Sequence, residues 1–70
     1  MSELVTEARG EWWSASTWEW KPLQGCAGPV PRAVEMAREE RAQALRVSER
    51  AAPVRVIDAS GAVVQQWGRP

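Results

Sequence analysis

Five tryptophans and one cysteine are the residues of this 70-residue chain whose chemistry goes beyond ordinary packing and charge. Cys26 is the one thiol, but a thiol becomes a nucleophile through a neighbouring base, and the chain has no histidine to act as one. The same two facts remove nearly every zinc site. Carboxylates are plentiful, yet no pair stands at a spacing that marks a general acid with its base or a metal site. Cys26 is therefore read as an incidental thiol, with an intermolecular disulfide under oxidation as the alternative. Asp58 is explained by the turn that it begins. The run Gly25-Cys26-Ala27-Gly28-Pro29-Val30-Pro31 looks like a phosphate loop only in its glycines: no Lys-Ser or Lys-Thr follows, and its prolines remove amide donors. No residue is assigned a catalytic, cofactor-binding or metal-binding role, and the chain is expected not to be an enzyme or to take a small-molecule substrate.

The tryptophans carry the remaining chemistry. Trp12, Trp13, Trp18 and Trp20 are close together, Trp67 stands apart, and Phe and Tyr are absent. An indole is too large to bury completely in a small domain, and its N–H asks for a partner. Such a cluster is either a heavy core or a recognition surface.

The composition narrows the setting. Seventy residues make at most one domain, 1–70, of a size that hides only about 60% of the surface its unfolded chain exposes, so oligomerisation or docking on a partner is an expected source of stability. Hydrophobic and charged fractions of 44% and 26% are ordinary for a globular protein and argue against wholesale disorder. Nine basic residues balance nine acidic ones, which leaves no net field for nucleic acid or an anionic membrane. Met1-Ser2-Glu3 is acidic and no long apolar run follows, so neither a secretory signal nor a membrane span is expected. A reducing cytoplasm fits that start and the unpaired Cys26.

The elements that must position the tryptophans are read as follows. Residues 1–21 hold the N-terminal strands: Leu4-Val5-Thr6-Glu7-Ala8 is β-compatible and Arg9-Gly10 is a plausible turn. Read as a single strand from Glu11 to Lys21, the chain puts Trp12, Trp18 and Trp20 on one side and Trp13 on the other. Ser14-Ala15-Ser16 is equally well a turn, which would split the run and change that register. Residues 22–30, with Pro22, Gly25, Gly28 and Pro29, read as a loop. Residues 31–51 are rich in helix formers, and Pro31 suits a first turn. On a helical wheel Ala33, Met36, Ala37, Ala44, Val47 and Ala51 form the apolar stripe, edged by Val34, Leu45 and Ala52. Arg32, Glu35, Arg38, Glu39, Gln43, Arg46, Glu49 and Arg50 lie opposite, while Glu40 and Arg41 intrude on the stripe and are expected to snorkel at its margins.

Residues 54–67 read as a hairpin, with Asp58 opening a type I turn and Gly61 supplying the left-handed residue after it. A loop at 59–61 pairs Val56 with Val64 and Val54 with Gln66 on one face. Ile57 then pairs with Val63 and Arg55 with Gln65 on the other, which Trp67 joins.

In order, the elements are strand, strand, helix, strand, strand. Trp18-Glu19-Trp20, then Ala33-Val34-Glu35-Met36-Ala37-Arg38, then Val54-Arg55-Val56-Ile57-Asp58 with Gly61 together resemble a group of short uncharacterised bacterial domains of this length. The resemblance implies a fold and no activity.

The expected fold is α+β: an antiparallel sheet of three or four strands with one helix packed on one face. Both hairpin faces carry apolar residues and one helix covers only one of them. An Ala-built stripe brings little bulk, so Trp18 and Trp20 are expected to fill the core. Trp12, Trp13, Trp67, Ile57, Val63 and Arg55 are expected to meet a protein partner or a second copy on the uncovered face, as tryptophan beside arginine does at interface hot spots. The function expected is binding without catalysis, by a small bacterial or phage-encoded modulator or inhibitor docking on a larger macromolecular machine such as a host-defence complex. The alternative is a single-stranded nucleic-acid-binding accessory protein that stacks bases on tryptophan and tracks phosphates with Arg38, Arg41, Arg46 and Arg50. Glu35, Glu39, Glu40 and Glu49 interrupt that basic stripe.

Overall fold

Residues 15–18 divide the tryptophan-rich run into two strands. In the computed structural model, which describes residues 7–70, the Trp18 N–H donates to the Ser14 carbonyl at 2.7 Å and closes a hairpin. The elements are β1 (Glu7–Ser14), β2 (Glu19–Pro29), α1 (Val30–Val47), β3 (Val54–Asp58) and β4 (Val63–Trp67). They form one four-stranded antiparallel sheet in the order β2-β1-β3-β4, with α1 on one face. The α+β class and the ββαββ order are those expected. The strand read at Leu4-Val5-Thr6 lies outside the described residues.

Two N-terminal expectations are corrected. Arg9-Gly10 is not a turn, because both residues sit inside β1. Residues 22–30 are not a loop, because β2 continues to Pro29. Pro22 and Pro29 are tolerated since β2 is an edge strand, where an absent N–H need cost no ladder bond. The register explains the glycine: Glu11 pairs with Pro22 and Arg9 with Ala27, so residues 23–26 bulge opposite Gly10 alone. The bulge turns Cys26 inward. A β-carbon on Gly10 would stand 2.5 Å from Cys26 Sγ and 3.0 Å from its Cβ, so the bulge closes only over glycine.

The helix is shorter than the 31–51 expected. It begins at Val30 with Pro31 in its first turn and no side-chain cap, and ends at Val47, where Ser48 is extended and its N–H returns to the Ala44 carbonyl at 3.0 Å. Ala33 and Ala37 are fully buried, whereas residues 42–50 are exposed. The stripe residues of the last turns, Ala44 and Val47, are exposed and bury nothing that would extend the helix, and half-buried Ala51 lies beyond its end. The small stripe brings α1 close to Ala8, Cys26, Val54 and Val56, and Trp12, Leu23, Val34, Met36 and Trp67 close the core at its margins.

Arg41 does not stay at the margin of the stripe. Its Nη1 donates to the Trp67 carbonyl at 2.8 Å and to the Ala52 carbonyl at 3.2 Å, joining the helix to the entry of β3 and the end of β4.

At the closing hairpin the Ile57–Val63 pair is as expected, and the other pairs are corrected. Val64 is an extra residue, so Val56 meets Gln65, Arg55 meets Gln66 and Val54 meets Trp67. One inserted residue changes the side to which everything after it points. Trp67 therefore joins Val54 and Val56 on the helix side. The turn is held by Asp58, whose Oδ1 accepts from the Ser60 hydroxyl at 2.6 Å, the Ser60 N–H at 2.9 Å and the Ala62 N–H at 3.0 Å. The Ser60 hydroxyl first, and the amides after it, hold this carboxyl below its ordinary value.

Candidate functional site on the open face of the sheet

Side chains alternate along a strand, and paired residues share a face. Gly10 and Trp12 of β1 pair with Val56 and Val54 and face α1. Arg9, Glu11 and Trp13 therefore face away from it. They are joined there by Ala27 and Trp20 of β2, Arg55 and Ile57 of β3, and Gln66 and Val63 of β4. No element of residues 7–70 covers this side.

Three indoles build one end of the open face. The Trp13 ring meets Trp20 edge-on, with centroids 5.5 Å apart and planes at 68°. Trp18 leans edge-on against Trp13 at 6.1 Å and 88°. Both are favourable aromatic geometries, each contributing about 0.5–1.5 kcal/mol beyond area burial. Arg55 lies over the Trp20 ring with its Cζ 4.2 Å from the centroid. The same guanidinium donates from Nε and Nη2 to Glu11 Oε1 at 2.9 and 2.8 Å, while Arg9 Nε stands 4.0 Å from Glu11 Oε2. Arg55 is thus fixed by an ion pair on one side and an indole on the other, and it braces the cluster in turn.

Trp18 does little for the fold. It is 79% exposed and has a φ of 58°, a left-handed backbone that is uncommon for a bulky residue. Left-handed strain costs on the order of 1–2 kcal/mol, and so little burial does not repay it. At the far end of the face is a hollow of about 330 Å³ lined by Glu7, Ala8, Arg9, Ala27, Ile57, Asp58 and Ala59. It opens where small Ala27 sits beside Arg9 and buried Ile57.

The structure divides the residues read from the sequence as partner-binding. Trp13, Arg55, Ile57 and Val63 come together on the open face. Trp12 and Trp67 pack against the core on the helix side, so the division of tryptophans between core and surface is reversed for all but Trp13: Trp18 and Trp20 are on the open face and fill no core under the helix. Arg9, Glu11, Trp18 and Trp20 are members that sequence reasoning missed. The signal for them was the Ser14-Ala15-Ser16 turn, which makes Trp13 and Trp20 partners across a hairpin.

Two other candidates lie elsewhere. Cys26 is 3% exposed under α1, where its Sγ donates to the Ala33 carbonyl at 3.3 Å. Burial pushes its thiol up from 9.0, Glu40 adds to this, and a Gly10 backbone contact only partly offsets it. Arg38 and Arg46 belong to α1, on the side of the sheet away from the three indoles, and Arg38 stands 3.7 Å from Glu35. Among the described residues no helix is long and apolar enough to cross a membrane, and no group of three or more metal-ligating side chains is assembled. Compared with protein-family models, with curated proteins and with solved structures, the chain finds no match.

Proposed function

We propose that this chain is a small, non-enzymatic protein-binding module whose binding surface is the open face of its sheet. The observation that carries this reading is the Trp13–Trp18–Trp20 cluster braced by Arg55 and Glu11 on a face left uncovered by the helix. Tryptophan and arginine are the residues most enriched at interface hot spots, and a rigid indole gives large contact area for little loss of side-chain freedom. Trp18 supports it independently, because a strained, exposed indole contributes little to folding and much to a contact. The cation set is placed less well for single-stranded nucleic acid, since the helix arginines lie across the sheet from the stacking rings and Arg55 is already paired.

Site-specific photo-crosslinking tests the reading. A photoreactive residue in place of Val63 or Arg9, on the open face, is expected to capture a polypeptide, and capture is expected to fail when Trp20→Ala is added. The same probe at Arg46 on the outer helix should capture nothing. Capture from Arg46 alone overturns the assignment of the surface. A low-salt mobility shift with single-stranded DNA that fades steeply as salt rises overturns the assignment of the partner class.

A further inference from the structure

We propose that the polypeptide covering the open face is a second copy of this chain, packed face to face so that Trp18 of each protomer seats in the Ile57 hollow of the other. This rests on the reading of the open face as a docking surface and names its occupant. The face carries both halves of a contact: a projecting indole at one end and a hollow of about 330 Å³ at the other, large enough for a bicyclic ring. Along β1 they are symmetric about Glu11. Trp13, against which Trp18 leans, is two residues beyond Glu11, and Arg9, at the rim of the hollow, is two residues before it. A two-fold axis lying between the sheets and crossing β1 above Glu11 exchanges the two ends. Each indole then meets the other protomer's hollow, the interface is isologous, and the assembly closes at two copies.

Other features of the face suit that occupant. Arg9 at the rim is placed to lay its guanidinium on the incoming indole. The Glu11–Arg55 pairs that meet near the axis are each neutralised within their own protomer, which limits the cost of covering them. The chain has a formal net charge of zero, so two copies approach without long-range repulsion. Four strands about 4.8 Å apart and about six residues long at ~3.4 Å per residue make a footprint of roughly 400 Å². An indole brings a further 150–250 Å² or so, which with the relief of the other side chains approaches the roughly 800 Å² per partner of a standard interface. Two sheets stacked ~10 Å apart at about −30° would make a sandwich with α1 of each copy outside.

The test is the mass of the full chain in solution, by sedimentation equilibrium, for the wild type and two variants. Trp18→Asn removes the knob and keeps a residue that accepts the left-handed backbone. Ala27→Leu, at an exposed position, fills the hollow. The wild type is expected to dimerise, and each variant alone to dimerise about a hundredfold more weakly, since two hot-spot contacts are lost per dimer. An equimolar mixture should recover a heterodimer, because the Ala27→Leu chain still carries the knob and the Trp18→Asn chain still carries the hollow. A monomeric wild type, a Trp18→Asn dimer as tight as the wild type, or a mixture no more associated than its components overturns the proposal. In each of those cases polypeptide capture from Val63 or Arg9 that depends on Trp20 keeps the open face as a docking surface. Its absence removes both readings.

Discussion

Gly10→Ala is expected to lower the unfolding free energy by about 1–3 kcal/mol, a large fraction of the roughly 3–5 kcal/mol that a core of this size supplies. The added Cβ would lie 2.5 Å from Cys26 Sγ, 3.0 Å from Cys26 Cβ and 3.3 Å from Leu23 Cδ2. None of these atoms is free to withdraw. Cys26 is held between β1 and the helix by its contact with the Ala33 carbonyl, and Leu23 packs against the same core. The backbone must move instead, and it is held by β3, which pairs at Gly10 itself, and by both neighbouring strands at Arg9 and Glu11. Urea denaturation should show a lower midpoint with little change of slope. Cys26→Ala in the same chain should return part of the loss, because it removes the closest atom and leaves the Cβ contact. A double-mutant cycle measures that coupling, expected at about 0.5–2 kcal/mol. Additive losses would mean that the bulge does not press on Gly10.

Arg41→Met is expected to cost about 2–3 kcal/mol. The guanidinium serves the carbonyls of Ala52 and Trp67 at once, and hydrogen bonds from a charged donor are worth about 1.5–3 kcal/mol each, less here because one nitrogen serves both and the residue is partly exposed. Methionine keeps the apolar stem, so the loss reports the polar contacts rather than packing. Arg41→Lys should recover less than half, since a compact ammonium on a flexible stem lacks the planar fork. Gly68 belongs to the same device: its φ is 82°, and a β-carbon there would fall 2.5 Å from Arg41 Nη1. Amide exchange at the end of β4 should accelerate more in Arg41→Met than exchange in β1. Equal acceleration throughout the sheet would show that Arg41 acts on global stability and not as a local clasp.

The parts of this fold legible in the sequence are those that depend on local pattern. The ββαββ order, the helix with its alanine stripe, and the Asp58–Gly61 turn each rest on propensity or on a turn residue at a required position. The division of tryptophans between core and surface was not legible, because it depends on a parity count that every inserted residue reverses. Val64 moves Trp67 to the helix side, and the turn at residues 15–18 brings Trp20 to the side of Trp13. The bulge at residues 23–26 turns Cys26 from a supposed loop thiol into core. Arg41 was missed for a different reason: on a wheel it is a charge on an apolar stripe, and only the positions of two distant carbonyls show why it belongs there.

The central claim is that Trp13, Trp18 and Trp20 form the binding surface and that Trp12 and Trp67 belong to the core. Fluorine NMR of the chain labelled with 5-fluorotryptophan reads all five indoles at once, with assignments from single Trp→Phe substitutions. In dilute solution Trp18 should show the largest solvent isotope shift and Trp12 and Trp67 the smallest. As the open face is covered, by raising the concentration or adding the captured polypeptide, the resonances of Trp13, Trp18 and Trp20 should move while those of Trp12 and Trp67 stay in place. Movement confined to Trp12 and Trp67, with the three hairpin indoles unchanged, would contradict the account.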